Sequence, residues 1–289
     1  MSQTVYLNGE YMPLAEARVP VLDRGFIFGD GVYEVIPVYG RVALRLREHL
    51  ERMQRSLDAI RLANPLAIDA WTKLVGAIIE RNPWDDQAVY IQVTRGVAPR
   101  DQAFPAGAQP TVFVMANPMS KPTAEQREKG VGVITAEDFR WKRCDIKSVS
   151  LLANCLLRQM AADAGCVEAV LLRDGLVTEA STSNVFAVKH GVIVTPPKDH
   201  RILPGITLDL VLDLAREAGL PLEVRPLPEA ELRAADEIWV SSSTKEVLPV
   251  TALDGAPVGN GRPGPMYARM YQLYQDYKAR IARAGLAHA

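Results

Sequence analysis

The run Cys144-Asp145-Ile146-Lys147-Ser148-Val149-Ser150-Leu151-Leu152 sets a lysine where a polar turn meets an apolar stretch of helical spacing. A cation at a helix start opposes the macrodipole, so the position is a poor one for a structural lysine. An ordinary surface lysine is the plain alternative. The same field, together with burial, would depress the amine pKa and leave Lys147 a competent nucleophile.

Further along comes Glu179-Ala180-Ser181-Thr182-Ser183-Asn184, a carboxylate leading into a hydroxyl-rich turn. Glu179 reads either as a solvated or capping acid, or as a buried carboxylate able to keep a pyridine nitrogen protonated. Asn184 can satisfy local backbone groups under both readings. An amine, an acid and a turn that suits a phosphate are the parts needed to hold an aldehyde cofactor as a Schiff base.

Three other places suit a phosphate. Gly205-Ile206-Thr207 opens a helix, where free backbone N–H groups and the dipole favour an anion. Ser242-Ser243-Thr244 follows a short apolar strand and offers hydroxyls and unpaired amides. Arg52 lies beside the apolar stripe of the first long helix, and reads either as part of a solvated face or as pointing inward at a phosphate.

Competing chemistries lack their motifs. Gly29-Asp30-Gly31 has no third glycine and no preceding strand, so a dinucleotide fingerprint is missing, as is a Walker A loop. The histidines, His49, His190, His200 and His288, have neither metal-ligand nor triad spacing, and no metal is expected. Cys144, Cys155 and Cys166 recur at an even spacing, but are too few for a disulfide framework and read as inert thiols suited to a reducing cytoplasm.

The chain has 289 residues, 48% hydrophobic and 23% charged, with a net charge of −1. That balance is typical of a soluble globular protein and argues against a nucleic-acid partner. The first residues have neither a basic n-region nor an apolar h-region, and no apolar run is long enough for a membrane span.

The pattern predicts α+β architecture in two domains: residues 1–117, a polar, proline-containing linker at 118–130, and a C-terminal domain at 131–289 carrying the lysine. Asn8-Gly9 predicts a hairpin between strands at 5–7 and 11–13. Leu46, Leu50, Met53, Leu57 and Ile60 predict a helix over about residues 46–62. Strands are expected at 88–96, 111–115, 131–135, 169–172, 185–188, 192–195 and 237–240, and helices at 151–164 and 207–218. A last helix carries Met270, Tyr274 and Tyr277 on one face.

Several long motifs, in order, resemble the fold-type IV pyridoxal-phosphate enzymes, and among these the D-amino-acid aminotransferases. They are residues 23–35 (DRGFIFGDGVYEV), 92–100 (QVTRGVAPR), 140–148 (RWKRCDIKS), 177–186 (VTEASTSNVF) and 202–207 (ILPGIT). The resemblance implies pyridoxal 5'-phosphate as cofactor, Lys147 as the Schiff-base lysine and proton carrier, and Glu179 on the pyridine nitrogen. It implies that Arg52, Ile206, Thr207 and Ser243 hold the phosphate, with Ser242 nearby. Tyr33 and Arg100 are implied as the clamp for the substrate carboxylate, a task suited to the planar guanidinium.

One departure falls two residues beyond that arginine, where the family pattern has a histidine and this chain has Gln102. Gln102 can donate a hydrogen bond but cannot carry charge, which bears on carboxylate affinity and substrate range. The implied reaction is ping-pong transamination of D-amino acids such as D-alanine with 2-oxo acids such as 2-oxoglutarate, in a homodimer. Branched-chain L-aminotransferases, (R)-amine transaminases and aminodeoxychorismate lyases share the lysine and the glutamate, and stand as alternatives. A non-catalytic cofactor-binding protein is the reading from another class, and it would not need a substrate clamp.

Overall fold

A computed structural model describes residues 3–286, so His288 lies outside the described residues. The chain divides into two compact units, one comprising residues 3–120, Ile146–Leu151 and 281–286, the other Lys121–Asp145 and Leu152–Arg280.

In the first unit, β1 (Thr4–Leu7) and β2 (Glu10–Pro13) turn at Asn8 and Gly9, both at positive φ. The short helix α1 (Arg24–Phe28) leads to β3 (Gly31–Tyr39) and β4 (Val42–Ala43). Two amphipathic helices follow, α2 (Leu46–Ala59) and α3 (Ile68–Arg81), and then β5 (Gln87–Thr94) and β6 (Thr111–Pro118). The strands form an antiparallel sheet in the order β2-β1-β6-β5-β3-β4. Its apolar face, with Val32, Ile36 and Ile91, shares a core with Met53 and Leu57 of α2 and Trp71 and Ile78 of α3.

The second unit begins with α4 (Ala124–Lys129), a helix inside the stretch expected to be linker. Thr123 and Gln126 start it with a reciprocal capping box. Then come β7 (Val131–Glu137), α5 (Leu152–Asp163), β8 (Glu168–Arg173), β9 (Leu176–Ala180), β10 (Asn184–Lys189) and β11 (Val192–Thr195). The unit continues with α6 (Ile206–Glu217), β12 (Leu222–Val224), α7 (Glu229–Arg233), β13 (Glu237–Ser242), β14 (Glu246–Leu253), β15 (Ala256–Pro257) and α8 (Pro265–Leu286). Strands run β12-β11-β10-β13-β14-β7-β8-β9, with β15 paired to β14. Met270 and Tyr274 of α8 are fully buried, as their shared helical face requires. The α+β expectation holds.

Two expectations about the lysine segment are corrected. Residues 146–151 cluster with the first unit, so residues 131–289 do not form one unit carrying Lys147. The cause is packing: Ile146 is buried in the first unit's core, and Ser148 bridges Val32 of β3. Lys147 also does not start a helix. It sits in an irregular, non-helical segment, and α5 begins only at Leu152, beyond the reach of a first-turn dipole effect.

Candidate active site

The lysine segment lies along β3 through backbone hydrogen bonds. Tyr33 N–H donates to the Lys147 carbonyl at 2.9 Å, and Val149 N–H donates to Gly31 O at 3.1 Å. Lys147 N–H donates to Ser56 Oγ of α2 at 3.2 Å. The backbone is thus held on two sides, while the side chain extends over the Tyr33 ring, with Nζ 4.2 Å from its centroid. The Tyr33 ring is backed by Tyr90 at 5.7 Å, and the Tyr90 hydroxyl donates to Gln92 at 2.7 Å. Burial pushes Tyr90 up to about 12, so its hydroxyl remains a donor.

Beneath them, a charge sits on the apolar face of β3. Glu34 is fully buried and accepts Arg52 Nε at 2.8 Å, Arg52 Nη2 at 2.7 Å and His49 Nδ1 at 2.8 Å. Burial alone would raise the Glu34 carboxyl, but Arg52, followed by His49, outweighs it and holds the group far below the carboxylate range. His49 is pressed down by burial, against the pull of Glu34, and the cations of Arg52 and Lys147 add to the lowering. A neutral His49 donates from Nδ1 to the acceptor-only carboxylate. Arg52 is therefore buried rather than part of a solvated face, and the group it grips is the Glu34 carboxylate.

The expected clamp residues Arg100 and Gln102 lie exposed on the segment between β5 and β6. The Arg100 guanidinium is 5.5 Å from the Phe28 ring centroid, and Arg24 lies 4.8 Å from the same ring. Buried Arg24 also donates to the carbonyls of Asp101 and Gln102, and to Asp30 at 2.8 Å. The two residues that follow Arg100 are thus anchored by Arg24.

In the second unit, Glu179 lies near the end of β9, a strand absent from the sequence-based expectations. The Asp174-Gly175 turn, with both residues at positive φ, makes its hairpin with β8. Glu179 is buried and accepts Arg140 Nη1, Leu203 N–H at 3.0 Å and Asn184 Nδ2 at 3.4 Å. Arg140 is itself held by Asp138, from Nε at 2.9 Å and Nη2 at 3.0 Å, and Thr178 donates to Asp138 at 2.8 Å. Burial pushes Glu179 up to about 7, against the lowering by Arg140 and the Leu203 N–H. The solvated reading of Glu179 is excluded.

Asn184 also donates to Leu203 O at 3.0 Å, tying the acid to the approach to α6. A Cβ on Gly205 would fall 2.1 Å from Asn184 Oδ1, so glycine is required by close approach. Gly205 caps α6 without any side-chain hydrogen bond, and Ile206 and Thr207 are buried at its first turn. Ser242 and Ser243 sit at the turn from β13 to β14, where Ser242 Oγ accepts Lys245 N–H at 3.2 Å. Beside them, Ser241 buries a hydroxyl that has no hydrogen-bond partner among the described residues.

The hydroxyl-rich turn after Glu179 is corrected. The hydroxyls of Ser181, Thr182 and Ser183 are not left for a phosphate; all three donate to the buried carboxylate of Glu168. Glu34, His49 and Glu168 were missed because their partners lie beyond local spacing, and Arg140 because its bond to Glu179 spans 39 residues. Glu34 alone left a local trace, as the charged member of the alternating series Val32, Glu34, Ile36, Val38.

Comparisons with known proteins bear on the chain as a whole. The family model for amino-transferase class IV matches residues 31–253. A D-alanine aminotransferase of Bacillus licheniformis is 44% identical over 272 residues, covering 94% of this chain and 96% of the relative. One from Staphylococcus aureus (strain MW2) is 39% identical over 276 residues, covering 95% and 98%. Among solved structures, a branched-chain amino acid aminotransferase from Escherichia coli is similar with a TM-score of 0.86 and 28% identity, covering 94% of this chain and 92% of that one. A second branched-chain enzyme, from T.th. and solved with pyridoxamine 5'-phosphate, has a TM-score of 0.89 and 27% identity, covering 96% and 94%. A match this long in sequence and in backbone leaves one conclusion: the chain belongs to the class IV aminotransferases, which use pyridoxal 5'-phosphate.

Proposed function

We propose that this enzyme transaminates D-amino acids such as D-alanine with 2-oxo acids such as 2-oxoglutarate, in a ping-pong cycle. The observation that carries the substrate class is the near-full-length similarity to D-alanine aminotransferases, at 44% identity for the one from Bacillus licheniformis. The branched-chain L-amino-acid reading has its own support in the solved branched-chain enzymes, at 28% identity or lower for the two compared above.

The residues fit the cofactor. The uncapped N-terminus of α6, the buried Thr207 and the unpartnered Ser241 hydroxyl suit a phosphate, and the buried acid Glu179 suits a pyridinium N–H. When bound, pyridoxal phosphate supplies an aldehyde that takes up an amino group and a ring that withdraws electrons from the substrate Cα. Lys147 would hold the cofactor through its side-chain amine, and the same amine would carry the proton of the substrate Cα. Glu179 would hold the proton on the pyridine nitrogen, with Arg140 keeping the carboxylate oriented. Arg52, Ile206, Thr207, Ser242 and Ser243 would bind the phosphate. Tyr33 and Arg100 would bind the substrate carboxylate, with Gln102 supplying a neutral donor.

A homodimer is part of this reading. Leu152, Leu156 and Met160, at helical spacing on α5, are 74%, 52% and 46% exposed, which suits an apolar face covered by a second copy. A reducing cytoplasm suits the three free cysteines. Among the described residues, no helix is long and apolar enough to cross a membrane.

The deciding experiment is a donor panel: D- and L-alanine, D- and L-leucine and both enantiomers of 1-phenylethylamine with 2-oxoglutarate as acceptor, and D- and L-glutamate with pyruvate as acceptor. Turnover of D-alanine and D-glutamate is expected. Exclusive turnover of L-leucine would sink the D-specific reading.

A further inference from the structure

Glu168, the first residue of β8, is wholly buried although it is charged. Its Oε2 accepts Ser181 Oγ and Thr182 N–H, the latter at 3.0 Å. Its Oε1 accepts Thr182 Oγ1 and Ser183 Oγ, each at 2.6 Å, and Lys245 Nζ at 2.8 Å. Lys245 donates a second bond to Thr182 Oγ1 at 2.9 Å, and its backbone N–H goes to Ser242 Oγ. Every lone-pair direction of the carboxylate is engaged. Burial works against the anion, but Lys245 and the hydroxyls outweigh it, so the carboxyl stays below its ordinary range.

A buried carboxylate is costly, and a satisfied apolar core would stabilise the fold at least as well. What this one does is cross-link, by side chains, the two turns that flank the last pair of the β10–β13 ladder, Asn184 with Ser241. One turn, 181–183, follows Glu179 by two residues; the other, 242–245, holds Ser242 and Ser243. We propose that Glu168 is a positioning residue: through Lys245 it straps the turn after the cofactor acid to the Ser242–Ser243 turn, so that the latter is preorganised for the cofactor phosphate. The inference rests on the reading of Ser242 and Ser243 as phosphate-binding residues.

The mechanism makes a selective demand. Loss of the strap loosens the grip on the phosphate, while a cofactor form without phosphate loses little. A purely structural role would weaken both alike. The test compares the dissociation constants of pyridoxal phosphate and pyridoxal for the cofactor-stripped enzyme, in the wild type, Glu168→Gln, Lys245→Met and Ser243→Asp.

In Glu168→Gln the amide presents donors to groups that are themselves donors, and the ion pair is lost. Its affinity for pyridoxal phosphate should fall about tenfold or more, with pyridoxal changed by less than about twofold. Lys245→Met, on a side chain about a quarter exposed, should shift the same ratio in the same direction and keeps the test open if Glu168→Gln fails to fold. Ser243→Asp sets a like charge against the phosphate and is a check on the underlying reading. Selective loss in Ser243→Asp, with equal or no loss for both ligands in Glu168→Gln and Lys245→Met, overturns the strap alone. No selective loss in Ser243→Asp removes the phosphate assignment, and the strap's role with it.

Discussion

Arg52 grips Glu34 with two parallel hydrogen bonds in a site from which water is excluded, Nε to Oε1 at 2.8 Å and Nη2 to Oε2 at 2.7 Å. The pair links α2 to β3, directly beside Tyr33 in sequence. Breaking such a pair from one side leaves a charge buried without its counter-ion. Glu34→Ala should therefore lower the stability of the cofactor-free protein by about 3–5 kcal/mol. Urea unfolding measures this, and a loss within the range of a surface substitution would show that Arg52 finds other compensation.

Lys147 is held by its backbone and works through its side chain. Lys147→Ala keeps the bonds to Tyr33 and Ser56, because both use main-chain groups of residue 147. The variant should fold with a melting temperature within a few degrees of wild type, while the half-reaction with D-alanine slows by about 10²–10⁴ or more. Rapid-mixing absorbance of the cofactor reads the rate. A normal half-reaction would remove Lys147 from the proton transfer.

The buried Glu179 carboxyl gives a pH signature in the cofactor-free protein. Its folded value of about 7 exceeds the ordinary 4.5, so the folded state holds the proton more tightly than the unfolded chain. The resulting stability is fully present below pH 4.5 and is lost as pH rises through about 7. Glu179→Gln removes this dependence. The difference between variant and wild type should move in favour of the variant as pH goes from 4.5 to 7, by at most on the order of 3 kcal/mol. His49 titrates in both proteins and cancels in the difference. Parallel stability curves across that range would contradict the shift.

Gly205 admits no side chain, since its Cβ would meet Asn184 Oδ1, and Asn184 is itself tied to Glu179 and Leu203. Gly205→Ala should displace the start of α6 or the Asn184 amide, at a cost of about 1–3 kcal/mol. Equilibrium dialysis should show weaker binding of pyridoxal phosphate. Unchanged affinity would mean that the α6 N-terminus does not hold the phosphate.

The exposed apolar stripe of α5 offers a test of assembly. Leu156→Glu places a charge at its middle and should convert a dimer to monomers in sedimentation equilibrium, with cofactor-free stability altered by less than about 1 kcal/mol. A dimer that persists would place the interface elsewhere.

Local rules read much of this protein from its sequence. The hairpin at Asn8-Gly9 follows from two residues that tolerate positive φ. The spacing of Leu46, Leu50, Met53 and Leu57 places α2 to within a few residues at its end, and the stop at Gly165 bounds α5. Lys147 and Glu179 stood out by residue type and motif. These signals are short-range, because turn propensity and helical periodicity act over a few residues.

Tertiary structure decided the rest. It set Lys147 with the first unit because Ile146 enters that core and Ser56, 91 residues away, takes its N–H. It aimed the hydroxyls of residues 181–183 at Glu168, although their composition suited a phosphate equally well. It also paired Glu179 with Arg140 across 39 residues, turning an acid that sequence left open into a buried one. A buried charge is defined by its partner, and the partner is chosen by how strands cross, which no local pattern encodes.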